Sequence, residues 1–274
     1  MATSVLLNSL QEKARQLRIE IIKMLNHAKS GHTAGSLSCI DILTVLYFHH
    51  MRHDPKNPLW EDRDRLILSI GHVCPAQYVC LAEAGYFPKK ELLTLRKLGS
   101  RLQGHPKKDC SIGIEMSTGS LGQGGSVANG LALSARLDKK DFRIYTLNSD
   151  GEAQEGMFWE GLMTAAHYKL DSRCAILDNN GIQIDGYNED IMNVQPLADK
   201  VRAFNWHAIS IDGHDFGQIL EALDEAKRTK GRPTMIVAKT VAGKGVSFIE
   251  NNPAYHGVPL SDEELGRALK ELGE

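Results

Sequence analysis

The chain lacks the features that would suit it to a membrane, a nucleic acid or a zinc ion. No apolar run approaches membrane-spanning length, and residues 1–22 become charged too early for a signal peptide. The net charge is only −2, and no long basic run offers a footprint for nucleic acid. The five cysteines show no CxxC spacing and have apolar neighbours. We therefore predict a cytoplasmic protein with buried, reduced thiols and with no membrane or nucleic-acid partner.

The sequence also lacks any sign of a domain boundary within the chain. Hydrophobic residues make up 42% and charged residues 24% of the 274 residues, which is an ordinary globular composition. No Pro/Gly/Ser-rich linker, low-complexity segment or internal repeat divides the chain. The sequence thus predicts a single α/β domain over residues 1–274.

The stretch from Phe142 to Gly186 predicts a strand–helix–strand unit. Phe142–Leu147 alternates polar with β-branched and aromatic residues, and Cys174–Leu177 is short and apolar throughout, as in a buried strand. Between them, Glu155–Tyr168 has apolar residues at helical spacing. The crossover makes the two strands parallel, so both end at the same edge of a sheet. Asp150 and Asn180, thirty positions apart, should therefore meet there.

These oxygen donors indicate what that edge would bind. Carboxylate, amide and backbone carbonyl oxygens suit Mg²⁺ or Ca²⁺ better than zinc, and Mg²⁺ commonly completes its coordination with phosphate oxygens. Gly151 would let the backbone approach a phosphate closely. Taken singly, Ser-Asp-Gly and Asn-Asn-Gly are typical turns after strands. Their pairing across one strand–helix–strand unit favours a metal–phosphate site.

A glycine-rich segment, Met116–Ser126, precedes an apolar helical run. Its spacing is GxxGxGG rather than GxGxxG, and no convincing strand precedes it, so it is a weak signal for a dinucleotide. Such a turn at a helix N-terminus can cradle an anion, or it can serve only for close packing, as Gly122, Gly124 and Gly125 would.

Four of the eleven histidines, each next to a glycine in a helix-breaking context, are candidates for function. They are His32, His72, His105 and His256, and none has metal-ligand spacing such as HxxxH. Functional groups concentrate in such loops, and an imidazole titrates near neutrality, so it can both donate and accept a proton. His27, His49, His50 and His53 fit ordinary surface or core positions.

Together these motifs resemble the amino-terminal, thiamine-diphosphate-binding domain of transketolase along the whole chain. Ser-Asp-Gly at 149–151 and Asn179-Asn180 are similar to the family's diphosphate motif, and the four histidines match its Gly-His contexts. The chain departs from the family's pattern in having Thr33, Ser120 and Ser149. The resemblance implies a doubly wound, mostly parallel sheet with helices on both faces.

The resemblance also implies roles for particular residues. Asp150, Asn180 and the backbone carbonyl of Ile182 would hold Mg²⁺ or Ca²⁺. The expected contacts to thiamine diphosphate come from these residues: His72, Gly119, Ser120, Leu121, Gly151, Glu155, Asn180 and His256. The catalytic group would be these histidines: His32, His105 and His256.

Two further residues carry weaker expectations. Glu155 is either an ordinary acid in the first turn of a helix or, by resemblance, a residue at a protomer interface that links two cofactor sites. Lys244 lies in a glycine-rich loop, where it would either approach a phosphate or be solvated.

The resemblance further implies a partner chain. In the family, the Glu that activates the cofactor lies on a following pyrimidine-binding domain, whereas only eighteen residues follow His256 here, mostly the charged helix Ser261–Leu272. We expect the amino-terminal subunit of a split transketolase, in an α₂β₂ assembly with a chain that carries the pyrimidine and carboxyl-terminal domains. It would act on sugar phosphates.

Four alternatives remain open. The chain could serve a related transferase for another sugar, such as apulose phosphate, or a synthase that condenses pyruvate. It could also be a non-catalytic Mg²⁺–diphosphate-binding subunit or a nicotinamide dehydrogenase.

Overall fold

A five-stranded parallel sheet forms the centre of the computed structural model, which describes residues 3–274. Its strands lie in the order β1-β2-β3-β7-β6, and every neighbouring pair is parallel. A separate two-stranded antiparallel hairpin, β4–β5, follows β3. The strands are β1 (Arg65–Leu68), β2 (Ile144–Ser149), β3 (Arg173–Asn179), β4 (Ile182–Gln183), β5 (Gly186–Tyr187), β6 (His207–Asp212) and β7 (Thr234–Lys239).

Within the same residues, ten α-helices connect and cover these strands. Their ends follow recognisable signals: a Pro in the first turn and Gly85 in the left-handed conformation bound the fourth helix, and Ser261 and Glu264 form a capping box on the last. The helices are α1 (Ser4–Ala28), α2 (Thr33–Ser38), α3 (Ile40–Val45), α4 (Cys74–Ala84), α5 (Gly124–Leu137), α6 (Gly156–His167), α7 (Asn188–Ile191), α8 (Leu197–Ala203), α9 (Phe216–Arg228) and α10 (Asp262–Glu271).

The helices lie on both faces of the sheet, as predicted. One buried core combines α1, α3, α4 and α9 with one face of the strands. A second core lies on the opposite face and combines α5, α6 and α8. Trp206 is buried in this second core, where its indole N–H donates to the carbonyl of Leu162 at 2.9 Å. The predicted fold class is therefore confirmed.

The predicted strand–helix–strand unit is present, with shifted ends. The first strand begins at Ile144 and runs to Ser149, because Asn148 and Ser149 still pair with Leu177 and Asp178 of β3. The second strand likewise extends to Asn179, beyond its apolar run. Both strands are buried almost throughout, so polar residues at their carboxyl ends are carried into the interior.

Two further expectations concern burial and membranes. Four cysteines are buried as predicted (Cys39, Cys74, Cys80 and Cys174), whereas Cys110 is only partly buried. Within residues 3–274, no helix combines the length and the apolar character needed to cross a membrane.

Candidate active site

The carboxyl edge of the sheet carries the predicted oxygen donors. Asp150 directly follows β2 and Asn180 directly follows β3, and Ser149 is paired in register with Asp178. One carboxylate oxygen of Asp150 accepts from the backbone N–H of Gly181 at 2.7 Å, and the other accepts from Gly151 at 2.9 Å. The two turns are therefore joined through the Asp150 side chain, as their parallel strands led us to expect.

Two buried carboxylates, Asp150 and Asp178, form what we call the carboxylate floor. Asp150 is fully buried and Asp178 is 1% exposed. Burial, together with the charge of Asp178, raises the pKa of Asp150 to about 6. Burial also raises the pKa of Asp178. A cation at this floor would favour the charged form of both groups, which fits the predicted metal site.

Asp178 was not singled out from the sequence, yet it organises the floor. Its carboxylate accepts hydrogen bonds from the hydroxyls of Ser38 and Thr240 and, at 3.0 Å, from the side-chain amide of Asn180. The amide oxygen of Asn180 accepts from the backbone N–H of Ile182 at 3.0 Å. Asp178 thereby fixes which atom of Asn180 is an acceptor. The signal available in the sequence was an acid that directly follows the apolar run Cys174–Leu177.

The four glycine-flanked histidines converge on the opposite side of the site and form what we call the histidine wall. The ring centroids of His32 and His72 are 5.0 Å apart, and each lies 5.6 Å from that of His256. The ring of His105 is 6.5 Å from that of His32. Four distant segments of the chain thus bring their imidazoles together.

Burial holds these imidazoles toward the neutral form. It is the leading cause of a lowered pKa at each of them, and it brings His72 to about 3 and His32 to about 4. The neighbouring histidines lower the pKa values of His32 and His72 further. A neutral imidazole can accept a proton at one nitrogen and donate from the other.

The glycine-rich loop lies between the wall and the end of β1. A Cβ on Gly124 would lie 2.4 Å from the Ser69 hydroxyl, so this glycine is required for close packing. The backbone N–H of Gly122 donates to the carboxylate of Glu152 at 2.8 Å. Glu152 also accepts from Ser69 and Asn148 and is fully buried. Glu152 therefore ties the loop to β2 and to the residue that directly follows β1.

A cavity of about 310 Å³ lies between the wall and the floor, large enough for part of a small-molecule ligand. Most of the predicted site residues line it: His32, His72, His105, Gly119, Leu121, Gly151, Glu155, Asn180, Ile182 and His256. Asp150 lines an adjoining cavity, which shares Asn180 and Ile182 with the first. Ser120 is exposed and lines neither cavity.

Several features of these residues fit a metal-bound diphosphate. Within residues 3–274, no cluster of three or more His, Cys, Asp or Glu side chains could hold a metal ion, so a cation here would need amide, carbonyl and phosphate oxygens as well. The Nδ1 atom of His32 and the Nε2 atom of Gln183 are buried and have no hydrogen-bond partner in the described part of the chain. A Cβ on Gly151 would approach no atom closer than 3.8 Å, which leaves room for an anion beside the backbone.

Glu155 and Lys244 differ in their relation to the site. Glu155 is exposed at the N-terminus of α6 and lines the main cavity. The ammonium of Lys244 lies 3.7 Å from the carboxylate of Glu250, and Lys244 lines neither cavity. The geometry therefore favours the solvated interpretation of Lys244.

The chain is similar to curated proteins over nearly its whole length. Residues 9–274 match the family described as the transketolase, thiamine diphosphate binding domain. The chain is 45% identical to a 6-deoxy-6-sulfo-D-fructose transketolase subunit, SqwG, of Clostridium sp., with 96% of each chain covered. It is 40% identical to an apulose-4-phosphate transketolase subunit of Actinobacillus succinogenes, with 97% of this chain and 96% of that protein covered.

The fold is likewise similar to that of solved transketolases. The transketolase from Leishmania mexicana superimposes with a TM-score of 0.91 at 33% identity. The match covers 100% of this chain but only 42% of that one.

Proposed function

Because the chain belongs to the transketolase family of thiamine diphosphate binding domains, we propose that it is the cofactor-holding subunit of a two-chain ketol-transferase. The reaction would move a two-carbon ketol unit from a ketose phosphate or a related anionic ketose to an aldose phosphate. The observation that carries this proposal is the convergence of four imidazoles, at 5.0–6.5 Å, on a cavity that also contains Gly151 and Asn180. A site for diphosphate alone would not need that wall.

The residues of the floor would hold the cofactor's charged end. Asp150, Asn180 and the carbonyl of Ile182 would bind Mg²⁺ or Ca²⁺, which would neutralise the diphosphate. Gly151, His72, His256, Gly119, Ser120 and Leu121 remain our candidates for direct cofactor contacts. When bound, thiamine diphosphate supplies the nucleophilic carbon for ketol transfer.

The histidine wall would manage protons on the sugar. His32, His105 and His256 would hydrogen-bond the oxygens of the donor and acceptor sugars. Because burial favours their neutral forms, each would offer both a donor and an acceptor nitrogen at neutral pH. Such positioned acid–base groups typically contribute about 10²–10⁴-fold to a rate.

We further propose a partner chain that completes the site, in an α₂β₂ assembly in the cytoplasm. Both curated relatives described above are named as subunits, and this chain covers 96% of each. Exposed apolar side chains on α5 and α6, among them Val127, Met157 and Met163, offer surface for such a contact. Met157 lies two residues after Glu155, the proposed link between cofactor sites.

Reconstitution tests the proposal. The chain, a pyrimidine-domain partner and their mixture would each be assayed with thiamine diphosphate, Mg²⁺, an aldose phosphate and one of three donors. The donors are a ketose phosphate, apulose 4-phosphate and 6-deoxy-6-sulfo-D-fructose, the last two taken from the names of the curated relatives. We expect turnover only in the mixture. Turnover by this chain alone would overturn the two-chain proposal.

A non-catalytic diphosphate-binding role makes a different prediction. The variant His105→Ala, assayed in the reconstituted complex, should lose at least about a hundredfold in kcat while cofactor affinity changes little. His27→Ala, at an exposed position on α1, is the matched control. Unchanged turnover in His105→Ala would favour the non-catalytic alternative.

A further inference from the structure

Arg96 bridges two of the loops that carry the histidine wall. Its Nη1 atom donates to the hydroxyl of Ser30 at 2.9 Å, and its Nη2 atom approaches the carbonyl of Gly104 at 3.5 Å. His32 lies two residues after Ser30, and His105 directly follows Gly104. One guanidinium thus joins segments that are more than seventy residues apart in sequence.

The backbone conformation at Arg96 and the packing of its side chain hold the guanidinium in this position. Arg96 has a φ of 60°, in the left-handed region that costs a residue with a side chain about 1 kcal/mol. Its backbone N–H donates to the carbonyl of Leu102 at 2.9 Å. A Cβ on Gly104 would lie 2.7 Å from the Cζ atom of Arg96, so the guanidinium packs directly on the Gly104 backbone. A side chain at position 104 would therefore displace the guanidinium from this position.

The charge of Arg96 has no acidic counterpart nearby. Across residues 3–274, no Asp or Glu oxygen lies within 4.0 Å of its guanidinium. The charge acts instead on the wall: burial first and Arg96 second lower the pKa of His105, and Arg96 also lowers that of His32. The other titratable groups that line the same cavity as His105 are these: His32, His72, His256, Glu155 and Asp178. An unpaired cation therefore stands beside a proposed acid–base residue.

We propose that Arg96 is a positioning residue of the ketol-transfer site, which fixes the loops of His32 and His105 relative to each other and places its positive charge beside His105. The inference rests on the proposed function for its consequence in catalysis. The coupling between Arg96 and His105 is a property of this chain alone and can be measured without turnover.

The coupling is tested first by titrating His105 in the full chain by NMR with labelled histidine. The variants are Arg96→Gln, Arg96→Lys and the neighbouring control Lys97→Gln, with the His105 signal assigned through His105→Asn. We expect the pKa of His105 to rise by about half a unit to one unit in Arg96→Gln and to stay nearly unchanged in Arg96→Lys and in the control. An unchanged His105 titration in Arg96→Gln would overturn the proposal.

The consequence is tested in the reconstituted complex. Arg96→Gln should lower kcat about tenfold with little change in the KM for the sugars, and the acid limb of its kcat/KM profile should move to higher pH. Arg96→Lys keeps the charge but loses the two-pronged bridge, so its kcat should fall while its acid limb stays in place. A fall in kcat without any movement of the limb in Arg96→Gln would overturn the charge role. A shifted His105 titration in a complex with no turnover would instead count against the proposed function.

Discussion

The carboxylate floor and the histidine wall lie around two adjoining cavities that share Asn180 and Ile182, yet burial shifts their pKa values in opposite directions. It raises the pKa of Asp150 to about 6 and lowers that of His72 to about 3. Both changes favour the uncharged form. The difference lies in what restores the charge: a cation at the floor would make Asp150 anionic again, whereas the wall remains neutral. The two adjoining cavities would thus hold a charged diphosphate at one end and exchange protons at the other.

The largest expected effect comes from removing the floor's charge. Asp150→Asn keeps an acceptor for the Gly181 N–H but cannot become an anion. We expect the affinity of the chain for thiamine diphosphate with Mg²⁺ to fall about a hundredfold or more, as measured by calorimetry. Asp190→Asn, on an exposed residue of α7, is the control. Equal affinities in the two variants would show that the floor does not hold the metal.

We expect the buried imidazoles of the histidine wall to make the free energy of unfolding depend on pH. The pKa of His72 is lower in the folded chain than the usual value of 6.5, so the unfolded chain binds more protons as the pH falls below 6.5. His72 should therefore remove about 2 kcal/mol from the free energy of unfolding between pH 8 and pH 5. His72→Gln should reduce this acid loss in urea denaturation of the free chain.

The other three wall histidines act in the same direction, so part of the acid loss should remain in His72→Gln. His27→Gln, at an exposed site, should behave like the unaltered chain. An identical pH dependence in His72→Gln and His27→Gln would contradict the assignment.

The smallest expected effects come from alanine substitutions at two glycines. One substitution should weaken cofactor binding, and the other should lower the stability of the fold. A Cβ on Gly151 meets only ordinary contacts, at 3.8 Å or more, whereas one on Gly124 would lie 2.4 Å from Ser69. Gly151→Ala should therefore melt normally but bind thiamine diphosphate about tenfold more weakly, because the methyl group faces the proposed diphosphate. Gly124→Ala should lower the melting temperature. A Gly151→Ala chain with unchanged affinity would remove this glycine from the cofactor contacts.

Much of this arrangement followed from local patterns. The strand–helix–strand unit predicted the parallel pair that joins Asp150 to the turn at Gly181, and the fold class and family are confirmed. The single-domain boundary and the roles of the site residues stay predictions, although most of those residues line one cavity.

The remaining parts depend on contacts between distant segments, which no local pattern contains. Asp178 is recognisable as a site residue only once Ser38 and Thr240 approach it from other elements. Arg96 gains its place only when Ser30 and Gly104 are brought to the same guanidinium. Glu152 is similar, since its partners Ser69 and Gly122 come from the segment after β1 and from the glycine-rich loop. Local periodicity therefore predicted the frame of the site better than its supporting hydrogen bonds.

The hydrogen bonds of Asp178 also have a consequence for the order in which the chain folds. They join residue 178 to a helix 140 positions earlier and to a loop 62 positions later. Contacts this distant form late in folding, because a long loop must close before each is made. The floor is thus complete only in a fully folded chain, and a ligand that binds there would bind almost none of the incompletely folded molecules. In the cell, the bound cofactor would then stabilise only fully folded chains, and it would protect those chains from proteolysis.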